Sequence, residues 1–387
     1  MEQDNSKKLI MPIIAIFMFA LLVFTAGYAY FNSSISNASA AYQVNLPKQT
    51  SLICTKTDCS MSVTITQMAS NNYNTATPKG TSSCYVNCTC SGSQGAVCEY
   101  DVAIREATYE YIPSSGIGSN KEYTVTVTNP SGCTQKNSSG TEAQTSTRRD
   151  RIVSTCSLTV PASGSVSANV AANFKWYNLN LDQNAHAGKT YQYKIRSQAK
   201  LPSTYQAVEY ITFAGAQQIN TGIQFNPATD GFDVSFKAST TDQNGMILGS
   251  SSGPYMWVYY YQSGNRIGFY TYSTSGQLAS SVTARDVNKH VASYSSKQAY
   301  MDGVLVGNWT SSSFATPNSY FFVGSYNGNY YFKGNIYYVT IYRNGTIIRD
   351  LIPVKRVSDS AVGMYDLANG IFYTNSGSGS LTAGPNA

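Results

Sequence analysis

The chain has 387 residues, enough for two domains of ordinary size, and only 12% of them are charged, a low share for a cytosolic protein of this length. Its formal charge of +6 is unevenly placed: residues 1–200 carry 16 Lys/Arg against 11 Asp/Glu, and residues 201–387 carry 10 against 9. No broad basic field covers the second half, so a nucleic-acid partner is not expected.

The 31 tyrosines are the outlying number. Tyrosine joins β-propensity to an apolar ring with a wet hydroxyl, which suits half-exposed sheets and contact surfaces.

At the N-terminus, Lys7 and Lys8 precede an apolar run from Leu9 to Phe24 that continues weakly to Phe31. Such a run falls between a long signal-peptide core and a short membrane span. Residues 1–31 therefore read as a signal peptide or a signal-anchor helix, and both export everything downstream. The lysines favour a cytoplasmic N-terminus. Retention leaves a cell-membrane protein, held through residues 9–31, with an extracellular ectodomain; cleavage near Ala29, after Gly27-Tyr28-Ala29, releases a secreted one. Residues 32–41, rich in Ser, Asn and Ala, read as a polar linker.

All eight cysteines, Cys54, Cys59, Cys84, Cys88, Cys90, Cys98, Cys133 and Cys156, lie in the next segment. An even count confined to the region after an export signal reads as a disulfide framework, with pairing undetermined. Zinc is the rival for Cys84, Cys88, Cys90 and Cys98, but no paired C-x2-C spacing is present. Alternating runs at Met61, Val63 and Ile65, at Tyr123, Val125 and Val127, from Ile152 to Val160 and from Val166 to Trp176 are bounded by Gly, Ser, Asn and Pro. They predict an all-β, cysteine-containing β-sandwich over 42–200, with the change of domain at Lys200-Leu201-Pro202-Ser203.

Two stretches of this region, Ala29-Tyr30-Phe31-Asn32 and Phe174-Lys175-Trp176-Tyr177-Asn178-Leu179-Asn180-Leu181-Asp182-Gln183-Asn184-Ala185-His186-Ala187-Gly188-Lys189-Thr190, resemble camelysin-like exported proteins. That family includes biofilm-matrix fibre subunits with a β-sandwich body. The cysteine-rich insertion departs from its pattern.

Residues 201–387 show the strongest hairpin signals: Asp302-Gly303 and Asn344-Gly345 between apolar alternating runs are type I′ turn dipeptides. The stretch from Gly334-Asn335-Ile336 to Asn344-Gly345, then Ile348-Arg349-Asp350-Leu351-Ile352-Pro353-Val354, Val362-Gly363-Met364-Tyr365-Asp366 and Phe372-Tyr373-Thr374-Asn375, resembles the end of concanavalin-A-like domains of the laminin-G superfamily, as found in bacterial and phage surface proteins. Val208-Glu209-Tyr210-Ile211 and Gln218-Ile219-Asn220-Thr221-Gly222 resemble their start. The resemblance implies a jelly-roll sandwich and a binding role, often towards carbohydrate.

Residues 255–272 carry the best local argument for a site. If Ser263-Gly264 is a two-residue loop, Trp257 faces Tyr270, Tyr255 faces Tyr272 and Tyr261 faces Arg266. Tyr259 then shares this aromatic side, and Met256, Val258, Tyr260, Ile267 and Phe269 fall on the other. An aromatic ladder on a sheet suits sugar, because the C–H faces of a pyranose stack on flat rings while polar groups hold its hydroxyls. The alternative is that the ladder is intersheet core, the reading preferred for Trp257. Trp309, and the loop residues Tyr326 and Asn327 with Asn329, Tyr330 and Tyr331 beyond them, are further candidates. The plain reading of that loop is a tight turn with Gly328 at positive φ.

Enzymatic classes find little footing. Glycoside hydrolysis usually needs two positioned carboxylates, and Glu209 is the only glutamate after residue 200. His186 and His290 accompany neither a Gly-x-Ser-x-Gly turn nor a second histidine at metal-ligand spacing. No cofactor is required by any motif. Calcium is open, with Asp242, Asn244 and Asp286 as loop oxygens of a suitable kind. The sequence is thus read as an exported bacterial cell-surface binding protein, adhesin-like or lectin-like, with a glycan or surface polysaccharide as partner. A surface protein as partner, or a structural role in a surface or matrix fibre, are the alternatives.

Overall fold

Alternation of apolar and polar residues becomes strand after strand. The computed structural model describes residues 42–45, 51–63, 78–107, 114–116, 122–136, 141–143, 150–177, 179, 181–250, 256–261, 266–273, 276–282, 286–310, 314, 319–326 and 328–387. The expected signal or anchor segment and the linker lie outside these residues. Among the described residues the only helical piece is the 3-10 turn Asn184–His186, and no helix is long and apolar enough to cross a membrane.

Four antiparallel sheets build two sandwiches. The first sandwich has an outer six-stranded sheet, in the order 42–45, 51–57, 78–91, 165–177, 123–128, 141–143, and an inner five-stranded sheet, in the order 59–62, 190–199, 97–106, 150–159, 133–135. The strand Ser165–Tyr177 turns Ala168, Val170, Ala172, Phe174 and Trp176 inward at every second position, the period-2 signature of a half-buried strand. Opposite them, Phe174 stacks on Tyr193 with ring centres 4.2 Å apart, and Trp176 lies parallel to Tyr191 at 6.0 Å.

All eight cysteines pair, so the disulfide reading holds and the zinc reading of Cys84 to Cys98 does not. Cys54–Cys88 and Cys133–Cys156 join residues directly opposite in neighbouring strands of one sheet. Cys59–Cys84 and Cys90–Cys98 cross between the two sheets and staple the sandwich through its core.

The second sandwich pairs an inner eleven-stranded sheet with an outer six-stranded one. The main path of the inner sheet runs 304–308, 298–301, 289–295, 230–238, 333–343, 346–356, 362–366, 371–374; the outer runs 219–224, 320–323, 245–250, 256–261, 266–273, 276–282. Phe232, Val234 and Phe236 face Val258, Phe269 and Phe321 in one apolar core. Both predicted hairpins form. Asp302 and Gly303 have φ of 50° and 78°, and Asn344 and Gly345 have 49° and 79°, the paired positive angles of a type I′ turn.

The two sandwiches meet through their inner sheets. Arg105 lies over the Tyr338 ring at 3.9 Å, donates to Thr340 Oγ1 at 2.7 Å and stands 3.5 Å from Asp350. Arg196 grips the same Asp350 carboxylate with both terminal guanidinium nitrogens. Lys194 and the Tyr342 hydroxyl donate to Asp233 Oδ2 at 2.7 and 2.6 Å. Burial alone would raise the Asp350 and Asp233 pKa values, but the cations and hydroxyls hold both below the usual carboxylate range.

Candidate functional site

The site is built from two adjacent strands of the outer sheet of the second sandwich, Met256–Tyr261 and Arg266–Ser273. Their pairing sets Trp257 opposite Tyr270, Val258 opposite Phe269 and Tyr261 opposite Arg266, the register expected from the sequence. Met256, Val258, Tyr260, Ile267 and Phe269 are at most 1% exposed and fill the core. Trp257, Tyr259 and Tyr270 are half-buried on the opposite, outward face, and Arg266 is exposed at the strand end. The preference for Trp257 as intersheet core is therefore corrected: the alternate positions Met256, Val258 and Tyr260 fill the space between the sheets, and the indole is turned out. Tyr261 and Tyr272 lie on the same two strands, and Tyr255 lies outside the described residues.

The outward rings form a cluster. Trp257 stacks on Tyr270, centres 4.6 Å apart and planes 17° from parallel, and Tyr326 meets Trp257 edge-on at 5.1 Å and 90°. Tyr330 stands against Tyr326 at 6.3 Å and is 59% exposed. The indole is fixed in place, because Trp257 Nε1 donates to Ser250 O at 3.0 Å and Met256 N donates to Ser250 Oγ at 3.1 Å. Its polar atom is thus satisfied by the protein, and the cluster leaves part of its ring surface exposed to solvent.

Tyr326 and Tyr330 reach the cluster from a loop. The strand Tyr320–Val323 runs into a tight turn in which Tyr326 N donates to Asn329 O at 2.9 Å and Asn329 N donates back to Tyr326 O at 3.1 Å. Gly328 has a φ of 85°, as a tight turn requires. Asn327 lies outside the described residues. Trp309 takes no part: it is 5% exposed and packs on Tyr294 at 5.3 Å, inside the core. Sequence reasoning had no signal for this, since the strand Val304–Asn308 is largely exposed up to the residue before it.

A polar group forms where the strand Lys289–Ser295 begins. His290 Nδ1 bonds Asp302 Oδ2 at 2.6 Å and Nε2 bonds Asp286 Oδ1 at 2.8 Å. Burial lowers the imidazole pKa, but the two carboxylates outweigh it and push it up to about 9. The Asp286 carboxyl, raised by burial but lowered more by bonds from His290 and Asn288, falls to about 2. Both oxygens of this candidate calcium donor are directed at His290 and Asn288. Among the described residues no group of three or more His, Cys, Asp or Glu is placed to hold a metal ion.

His186, by contrast, is buried in the first sandwich, with Nδ1 and the Tyr191 hydroxyl 2.7 Å apart and Glu122 3.5 Å from Nε2.

No family model matches the chain, and no curated protein matches it. Among solved structures, domains LG4-5 of the mouse laminin alpha1 chain are 11% identical with a TM-score of 0.32, over 93% of this chain and 98% of that one. A Bacteroides ovatus protein described as a proposed carbohydrate-binding protein is 12% identical with a TM-score of 0.34, over 81% of this chain and 96% of that one. At these identities and TM-scores neither likeness carries an argument about residues or function. The camelysin-like resemblance of the N-terminal part finds no support in these comparisons.

Proposed function

We propose that the chain is an exported, surface-displayed binding protein of bacterial type, whose second sandwich, a jelly roll, takes up a glycan over Trp257, Tyr259, Tyr270 and Tyr326. The observation that carries this reading is the outward, half-buried aromatic cluster. A sandwich with a full apolar core has no packing need for a tryptophan stacked on a tyrosine on its far face, and the same arrangement suits the C–H face of a sugar ring. Four disulfides support an oxidising, extracellular setting. The apolar run at residues 9–31 provides the membrane tether if it is retained, and its removal near Ala29 gives the secreted form. The role proposed is binding without catalysis, in keeping with a cluster made of rings and hydroxyls.

The test is a glycan and cell-wall polysaccharide array probed with the full chain in detergent, with and without calcium. Binding to one or a few related glycans is expected. Binding to none, with capture of a surface protein instead, would move the partner from carbohydrate to protein.

A further inference from the structure

The turn that brings Tyr326 to Trp257 is held from behind by one buried glutamine. Gln218 is 8% exposed and stands immediately before the strand Ile219–Gln224, which pairs with Tyr320–Val323. Its side-chain Oε1 accepts from Gly328 N at 2.8 Å and from Ser325 Oγ. One oxygen thus closes both limbs of the turn, on either side of Tyr326.

Gln218 is itself fixed from the other side. Its backbone N donates to Asn375 Oδ1 at 3.0 Å, and its carbonyl accepts from Ser376 N at 2.8 Å and from Ser376 Oγ at 3.2 Å. Asn375 is locked in turn, its Nδ2 donating to the carbonyls of Gly377, Ser378 and Gly379 at 3.2, 3.1 and 2.8 Å.

Beyond the turn, Tyr330 adopts a left-handed φ of 50° with its ring 59% exposed, a conformation that a bulky residue rarely takes. Its carbonyl accepts from Met246 N at 2.7 Å, which ties the end of the turn to the strand Gly245–Ser250. The turn is therefore clamped at its start, its middle and its end.

We propose that Gln218, backed by Asn375, is the positioning residue of the aromatic site: its side-chain oxygen presets the turn so that Tyr326 seats edge-on against Trp257 and Tyr330 becomes the outermost ring that a bound glycan meets. The inference rests on the glycan-binding reading for its last clause, and on geometry alone for the rest. A preset loop gives up little conformational entropy on binding, so it strengthens affinity without a contact of its own.

The full chain in detergent offers a readout that needs no ligand. It has three tryptophans; Trp176 is 0% and Trp309 5% exposed, and Trp257 is half-buried, so acrylamide quenching reports chiefly on Trp257. Gln218→Ala is expected to raise quenching and to weaken affinity for an array-positive glycan about tenfold, in line with one lost hydrogen-bond acceptor.

Gln218→Glu keeps the accepting oxygen and is expected to restore both values. Ser325→Ala, which removes one of the two donors, should shift both in the same direction by less. It also serves if Gln218→Ala fails to fold. Tyr330→Ala should weaken affinity and leave quenching unchanged. Wild-type quenching in folded Gln218→Ala, or an equal loss in Gln218→Glu, would overturn the positioning role. Raised quenching in Gln218→Ala, with no glycan bound by the wild type, would uphold the preset turn and reject the glycan reading.

Discussion

Trp257 and Trp309 are the same residue type in the same sandwich with opposite work to do. Trp309 fills core against Tyr294, and truncation of a buried tryptophan costs about 3–5 kcal/mol. Trp309→Ala should lower the melting temperature sharply, and any of it that remains folded should bind glycan as the wild type does. Trp257→Ala should show the reverse pattern in calorimetry and a binding titration.

His290 adds a pH dependence whose sign is fixed by its two carboxylates. Its folded pKa of about 9 lies above the ordinary value of 6.5, so its contribution is complete below pH 6.5 and is lost as pH rises through 9. Asp286, at about 2 against an ordinary 3.8, contributes above pH 3.8 and loses that contribution as pH falls through 2. Thermal melts should therefore show a fall in stability between pH 6.5 and 9 that His290→Gln abolishes. An unchanged alkaline limb in that variant would refute the assignment.

At the scale of elements, register was legible and facing was not. The alternation across residues 256–272 has one pairing that puts Met256, Val258, Tyr260, Ile267 and Phe269 on one face and Trp257 and Tyr270 on the other, and that pairing is the one formed. Which of the two sorted faces meets the partner sheet depends on residues far along the chain, such as Phe232 and Phe321, and no local pattern contains them. The same limit hid Gln218, whose partner Gly328 is 110 residues away. The type I′ turns were readable because Asp302-Gly303 and Asn344-Gly345 carry their own conformational preference. Cysteine spacing revealed a framework but not its pairing, since eight cysteines allow 105 connectivities.

The pairing has a testable consequence for the elements it joins. Cys59–Cys84 and Cys90–Cys98 both cross between sheets, one from each half of the strand Pro78–Ser91. Removal of one native bridge typically costs about 2–5 kcal/mol. Replacing Cys59 and Cys84 together with serine should lower the stability of the first sandwich by that order, measured by denaturant unfolding under non-reducing conditions. No change would show that the bridge only decorates an independently stable sheet pair.

Across the whole molecule the decisive feature is the charged seam between the inner sheets. Asp350 is 1% exposed between two arginines of the other sandwich, and removing one partner of a buried pair costs about 3–5 kcal/mol because the remaining charge is stranded. Asp350→Ala leaves Arg105 and Arg196 buried without the carboxylate they share, so the single unfolding transition expected of the coupled sandwiches should separate into two by scanning calorimetry. The seam was invisible to sequence reasoning, because Arg105 and Thr340 are 235 positions apart. It fixes the two inner sheets against each other and leaves the aromatic cluster on the outer sheet of the second sandwich, away from the seam.

The proposed glycan site is the set of outward rings on the second sandwich. Its most direct test is titration of the best array-positive glycan against the full chain and against Trp257→Ala, with near-ultraviolet circular dichroism confirming that the variant is folded. Saturable binding is expected of the wild type, and its loss, by tenfold or more in Kd (about 1.4 kcal/mol), of the folded variant. Equal affinity in both proteins would contradict it and place the ligand elsewhere on the molecule.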